Sequence, residues 1–213
     1  MGVLDLLSDA VQKGRADDVL ALIAAGLDQG LTAQQLLDDG LLRGMALLGE
    51  RFKNNQAWVP EVLLAARVLN KGMNALKPRL VEDGSPFRGK AVIGTVEGDL
   101  HDIGKNLVKI MFEGSGFEVI DLGTNVPAAE FVEAVRTCRP DILCLSALLT
   151  TTTGQLQAVI DAVSAAGLRD QVKILVGGAP VTADIASRVG ADGYAADAAA
   201  AADLAARVIA LAA

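Results

Sequence analysis

Aromatic residues make up only 3% of this 213-residue chain, and histidine occurs once. A core so poor in rings must close on aliphatic side chains. The hydrophobic fraction of 52%, supplied mainly by Ala, Leu and Val, suits closely packed helices and buried parallel strands, and it excludes disorder as the dominant state. One imidazole and two cysteines, Cys138 and Cys144, lack the close spacing of the three or four N or S ligands of a zinc site, and they give no disulfide framework. Both thiols are expected to be structural, in a reducing cytoplasm. Excess positive charge is missing too: 19 Lys and Arg stand against 26 Asp and Glu, a net charge of −7, so nucleic acid is not an expected partner. No uninterrupted apolar stretch approaches the roughly 20 residues needed to span a bilayer. The N-terminal Met1-Gly2-Val3-Leu4-Asp5 carries acid where a secretory signal carries positive charge, so a cytoplasmic chain with no membrane partner is expected.

What is present divides into two halves. Asp83-Gly84-Ser85-Pro86-Phe87-Arg88-Gly89 is a cluster of turn formers, and it sets an expected boundary between residues 1–85 and 89–213. Before it, apolar residues recur at helical spacing: Val3, Leu6, Leu7 and Val11, then Val19, Leu22 and Ile23, then Leu36, Leu37, Leu41, Met45 and Leu48. Val62, Ala66, Leu69, Met73, Leu76 and Leu80 continue the pattern by fours and threes, which predicts a four-helix bundle. After the boundary, short β-rich runs alternate with helical stretches. The runs are 91–96, 118–122, 142–146 and 173–176, with a weaker fifth at 192–195. Such alternation predicts a doubly wound α/β domain with a five-stranded parallel sheet. Residues 195–213 are expected to form the closing helix, with an apolar face of Leu204, Val208 and Leu211.

Ligands of open parallel sheets bind outside the carboxyl ends of the strands. After the first run comes Glu97-Gly98-Asp99-Leu100-His101-Asp102-Ile103-Gly104-Lys105-Asn106, which holds the single histidine. A neutral imidazole can give a lone pair to a metal through one nitrogen while Asp99 accepts a hydrogen bond from the other. Gly98 and Gly104 remove bulk on either side, so a large group can approach the backbone. One protein ligand suits a metal already held by another chelator. A nucleotide-phosphate loop is not indicated, since neither G-x-G-x-x-G nor G-x-x-x-x-G-K-[ST] is present. Asp102 and Lys105 are expected to cap or charge the next helix.

With Asp99-x-His101-x-x-Gly104, Ser146-x-Leu148 and Gly177-Gly178, the chain resembles the cobalamin-binding domain of methionine synthase. It resembles more closely the small corrinoid proteins of methanol, methylamine and aryl-ether methyltransferase systems. The likeness extends into the helical half at Gly49-Glu50-Arg51-Phe52-Lys53-Asn54-Asn55 and Val59-Pro60-Glu61-Val62. It implies a Rossmann-like or flavodoxin-like domain that binds a cobamide, under a helical cap.

By the same resemblance, His101 is the lower axial ligand of cobalt, in base-off, His-on coordination, with the cofactor's own lower base drawn into the α/β domain. Asp99 hydrogen-bonds the imidazole, and Thr152 stands where methionine synthase has the serine that completes the relay. Gly98, Leu100, Asp102, Ile103 and Gly104 belong to the cofactor loop. Ser146 and Thr150 contact the nucleotide tail beside Leu148, Gly177 and Gly178 line its tunnel, and Ala198 makes a backbone contact near its outer end. Phe52, Val59 and Val62 lie over the upper corrin face, although by spacing alone they read equally as bundle core. The implied function is carriage of a methyl group, cobalt cycling between Co(I) and methyl-Co(III). The implied partners are a substrate-specific methyltransferase, a methyl-accepting methyltransferase and a reductive activation protein. Two other classes are an adenosylcobamide isomerase subunit, which would need a substrate barrel, and a cobamide storage or sensor module. The segment 83–89 is the expected hinge.

Overall fold

A computed structural model describes residues 2–83 and 87–210 and, within these, all side chains except those of 81–83. Residues 84–86 of the expected hinge and Leu211 of the expected closing-helix face lie outside the described residues. The chain divides into two compact units. Met1–Arg88 with Glu113–Gly116 form one, and Gly89–Phe112 with Phe117–Ala213 form the other.

In the first unit, α1 (Val3–Gln12) packs on α2 (Ala16–Asp28), on a composite third helix and on α5 (Val59–Asp83). The composite helix consists of α3 (Ala33–Gln35), a π-helical stretch (Leu36–Leu42) and α4 (Arg43–Lys53) without interruption, so the unit is a four-helix bundle. Thr32 starts the composite helix with a capping box: its hydroxyl accepts the Gln35 N–H at 3.1 Å, and Gln35 Oε1 accepts the Thr32 N–H at 2.9 Å. The wider π turn buries Leu36, Leu37, Leu41 and Leu42 together with Gly40. Gly44 follows one turn later, where a Cβ would come within 2.7 Å of the Ser8 carbonyl of α1. Close approach of the two helices therefore requires glycine there. At the start of α5, Glu61 accepts the Trp58 N–H at 2.8 Å, and Pro60 sits in the first turn, where its missing N–H costs nothing. The helix also runs through Pro78 to Asp83, keeping Leu76 and Leu80 in the core.

The second unit is a five-stranded parallel sheet of order β2-β1-β3-β4-β5. The strands are β1 (Gly89–Thr95), β2 (Phe117–Asp121), β3 (Ile142–Ser146), β4 (Lys173–Gly177) and β5 (Gly193–Tyr194). Between them run α6 (Ile103–Gly114), α7 (Ala128–Cys138), α8 (Thr153–Ala165) and α9 (Ala183–Val189), with α10 (Ala198–Ala210) closing the domain. On one face, Val92, Leu143, Leu145 and Ile174 pack against Phe131 of α7 and Leu156, Val159 and Val163 of α8. Gly94 leaves room for the Phe131 ring, which a Cβ would meet at 2.7 Å. The buried face of α10 differs from expectation. Ala198, Ala201, Ala202 and Ala205 are buried, whereas Leu204 and Val208 are only half-buried. The strand order reverses at β1, with β2 on one side and β3 on the other. The residues that follow β1 and β3 therefore flank the crevice where doubly wound sheets take their ligands.

Candidate functional site

The first of these loops carries Asp99, which has no exposed surface. Its Oδ1 accepts the His101 N–H at 3.1 Å and faces His101 Nδ1 at 2.7 Å. Its Oδ2 accepts the N–H groups of Leu148 at 2.7 Å and Leu149 at 3.2 Å, both on the loop after β3. Thr152 Oγ1, one residue before α8, lies 2.8 Å from the same oxygen and 2.9 Å from the Leu149 carbonyl. Its single proton goes to the charged acceptor, the stronger partner. Burial alone would raise the Asp99 pKa, but the bonds from Leu148, His101 and Thr152 outweigh it and hold the carboxyl far below the usual carboxylate range. A permanent negative charge thus stands against one nitrogen of a ring whose side chain remains 51% exposed.

The loop is fastened elsewhere too. The Gly98 N–H donates to Asn125 Oδ1 at 2.7 Å, and the Asn125 N–H donates to the Asp99 carbonyl at 2.9 Å. Gly98 has φ +81, a conformation that favours glycine. Leu100 and Ile103 flank the imidazole in sequence and are 74% and 81% exposed, so apolar surface is presented beside the ring. A Cβ on Gly104 would meet only open space. Asp102 precedes α6, where its carbonyl accepts the Asn106 N–H and its carboxylate the Asn106 side chain. Lys105 departs from the expected helix-charging role: it is buried, with its ammonium on Asp121 at 2.6 Å at the end of β2.

Across the sheet, Ser146 pairs with Gly177, and the Ala147 N–H donates to the Gly177 carbonyl. Gly178 has φ +129, and a Cβ there would collide with the Ala147 carbonyl. The end of β4 is thereby pressed against the segment that donates to Asp99. Leu148 and Thr150 are exposed, and Ala198 is the buried first residue of α10. Phe52, Val59 and Val62 belong to the helical unit. Phe52 is half-buried and Val59 is 38% exposed, whereas Val62 has no exposed surface, so the two valines differ more than their spacing suggested. Sequence reasoning missed the Leu148 and Leu149 amides, Asn125 and Asp121. The amides carry no residue-type signal, and the other two become partners only through the β1–β2 pairing.

Both halves match a B12 binding domain, the α/β half over residues 89–203 and the helical half over residues 3–77. The chain belongs to the B12-binding family. Trimethylamine corrinoid protein 1 of Methanosarcina acetivorans is 41% identical over 89% of this chain and 87% of its own. Among solved structures, a novel cobalamin-binding protein from Desulfitobacterium hafniense is 34% identical, with TM-score 0.79 over 96% of this chain and 98% of its own. The methanol:cobalamin methyltransferase complex of Methanosarcina barkeri gives TM-score 0.87 at 31% identity, over 98% of this chain and 80% of that one.

The cofactor of this B12-binding protein is a cobamide, and the residues present fit it. The donor set is one oriented imidazole, which suits a metal whose equatorial positions are filled by a macrocycle. Open space at Gly104 leaves backbone beside the imidazole loop for a bulky group to approach. No helix among the described residues is long and apolar enough to cross a membrane.

Proposed function

We propose that this protein carries a methyl group on cobalt between a substrate-specific methyltransferase and a second, methyl-accepting methyltransferase. The observation that carries this reading is the sole imidazole at the switch point, half-exposed, with Nδ1 held 2.7 Å from a buried carboxylate. Likeness over most of the chain to a trimethylamine corrinoid protein and to a methanol:cobalamin methyltransferase complex supports methyl carriage over other uses of B12. When bound, the cobamide supplies a cobalt that accepts and releases the methyl group.

The rest of the work falls to the chain. His101 would ligate cobalt through Nε2, in place of the cofactor's own lower base. A neutral imidazole has one N–H, and Asp99 holds that proton on Nδ1, which directs the lone pair to Nε2. The ionised carboxylate also strengthens the ring as a donor, and Thr152 with the Leu148 and Leu149 amides keeps that charge in place. Ser146, Thr150, Gly177, Gly178 and Ala198 would receive the nucleotide tail. Leu100, Asp102, Ile103, Gly104 and Leu148 would meet the macrocycle beside Gly98. In the helical unit, Phe52, Val59 and Val62 would shield the reactive face from water. A reductive activation protein would return adventitiously oxidised cobalt to service, and the cytoplasm is the fitting compartment.

Reconstitution of the full chain with a cobamide tests the reading. His101→Ala should abolish the spectral signature of an axial nitrogen, and the wild-type holoprotein should be methylated by its partner methyltransferase. An unchanged His101→Ala spectrum would remove the ligand assignment. A holoprotein inert to methylation by every methyltransferase encoded beside it would remove the carrier role.

A further inference from the structure

Thr95 ends β1 and has no exposed surface. It carries a hydroxyl that the cofactor contacts assigned above do not use. A valine would suit the strand equally well, so packing alone does not require that oxygen, and a buried hydroxyl is costly unless bonded. Its Oγ1 donates to the carbonyl of His101 at 2.9 Å.

The bond joins a fixed point to an exposed one. The Thr95 N–H donates to the Gly123 carbonyl at 3.0 Å, its carbonyl accepts the Val126 N–H at 3.0 Å, and the residue pairs with Ser146 across β1 and β3. Gly123 is itself fastened by its N–H to Asp121, the carboxylate that receives buried Lys105. His101, in contrast, lies on a loop with half its side chain exposed. Asp99 holds this residue through its N–H and through Nδ1, but both bonds end on the same oxygen, Oδ1. Two bonds meeting at one atom leave the residue free to pivot about it. The bond from Thr95 supplies a third point of attachment, at the carbonyl rather than at the N–H or the ring, and a third point stops the pivot.

We infer that Thr95 is a positioning residue for cobalt ligation, its hydroxyl holding the main chain of His101 so that Nε2 stays aimed at one place. The inference rests on the reading of His101 as the cobalt ligand. It makes the ligand one that is set before the cofactor arrives, so that little ordering cost remains for binding.

The test uses the full chain with Thr95→Val, Thr95→Ala, Thr95→Ser and His101→Ala. Because the chain has one histidine, its imidazole signals in nitrogen-15 NMR need no assignment. The cofactor-free wild type and Thr95→Ser should show one sharp set, and Thr95→Val a broadened or doubled set. After reconstitution with hydroxocobalamin, Thr95→Val should lower the ratio of histidine-ligated to unligated cobalt about three- to tenfold, the range expected for one hydrogen bond. Thr95→Ser should restore it. A Thr95→Val protein matching wild type in both measurements overturns the inference. If that variant does not fold, Thr95→Ala takes its place, and failure of both to fold makes Thr95 a folding residue and overturns the inference as well. A changed His101→Ala spectrum beside an unaltered Thr95→Val sinks this inference alone, whereas an unchanged His101→Ala spectrum sinks the ligand reading beneath it.

Discussion

Lys105 and Asp121 form the most deeply placed ion pair described in the α/β unit, with side chains 2% and 21% exposed. Removing one partner of such a pair leaves an uncompensated buried charge, so Asp121→Asn should cost about 3 kcal/mol near neutral pH, measured by urea unfolding. Burial raises the Asp121 pKa, but Lys105, the Gly123 N–H and Lys109 lower it by more, and the net shift is downward. A carboxyl depressed in the folded state contributes all its stabilisation above the unfolded value of about 3.9 and loses it as pH falls through the folded value. The difference between wild type and Asp121→Asn should therefore be constant from pH 7 to about pH 5 and shrink below about pH 4. The Asp99–His101 contact was legible in the sequence because a carboxylate and an imidazole two residues apart on one loop can meet without help from the rest of the fold. Lys105 was not, since nothing local shows that Asp121, at the end of another strand, would take its ammonium. Cys144 behaves as the sequence suggested: burial pushes its thiol up to about 12, which makes it unreactive.

At the level of elements, two glycines hold segments closer than any side chain allows. Gly178→Ala should displace residues 147–149, the segment that donates to Asp99. The strain of a Cβ at φ +129 adds to that clash. We expect a loss of about 2 kcal/mol or more in stability and a clear loss of cobamide affinity by equilibrium dialysis. Gly44→Ala meets the Ser8 backbone at 2.7 Å in the helical unit. It should lower stability by about 1–3 kcal/mol, read by calorimetry. The strands were legible almost to the residue, because parallel strands buried on both faces announce themselves as short apolar runs. The π stretch was not, since five buried residues among seven look the same at either helical period. Nor was the alanine face of α10, where hydrophobic pattern reading favours the larger Leu204 and Val208.

For the whole molecule, the reversal of strand order at β1 collects the pieces of the site. Loops separated by some fifty residues of chain meet there, as the Asp99 to Leu148 and Thr152 bonds show. A ligand that binds the folded loops and not the unfolded chain must stabilise the fold. At a free cobamide concentration a hundred times its dissociation constant, the gain should be about 2.7 kcal/mol. Differential scanning calorimetry with and without hydroxocobalamin would register it as a raised midpoint, and His101→Ala should reduce the rise. Fold class was readable from the alternation of patterns, and the site's general location from topology, whereas the lattice of backbone amides that completes it exists only after folding.

Five donors converge on the one Asp99 side chain: two from His101, two from Leu148 and Leu149, and one from Thr152. A carboxylate so fully occupied behaves less like a titrating acid than like a rigid coupling between two shafts. Torque on the imidazole can travel through it into the segment that leads to α8. Deuterium uptake at the amides of Leu148 and Leu149 should slow when the ring is engaged and quicken when it is let go, making a distant stretch of main chain the gauge of events at the metal.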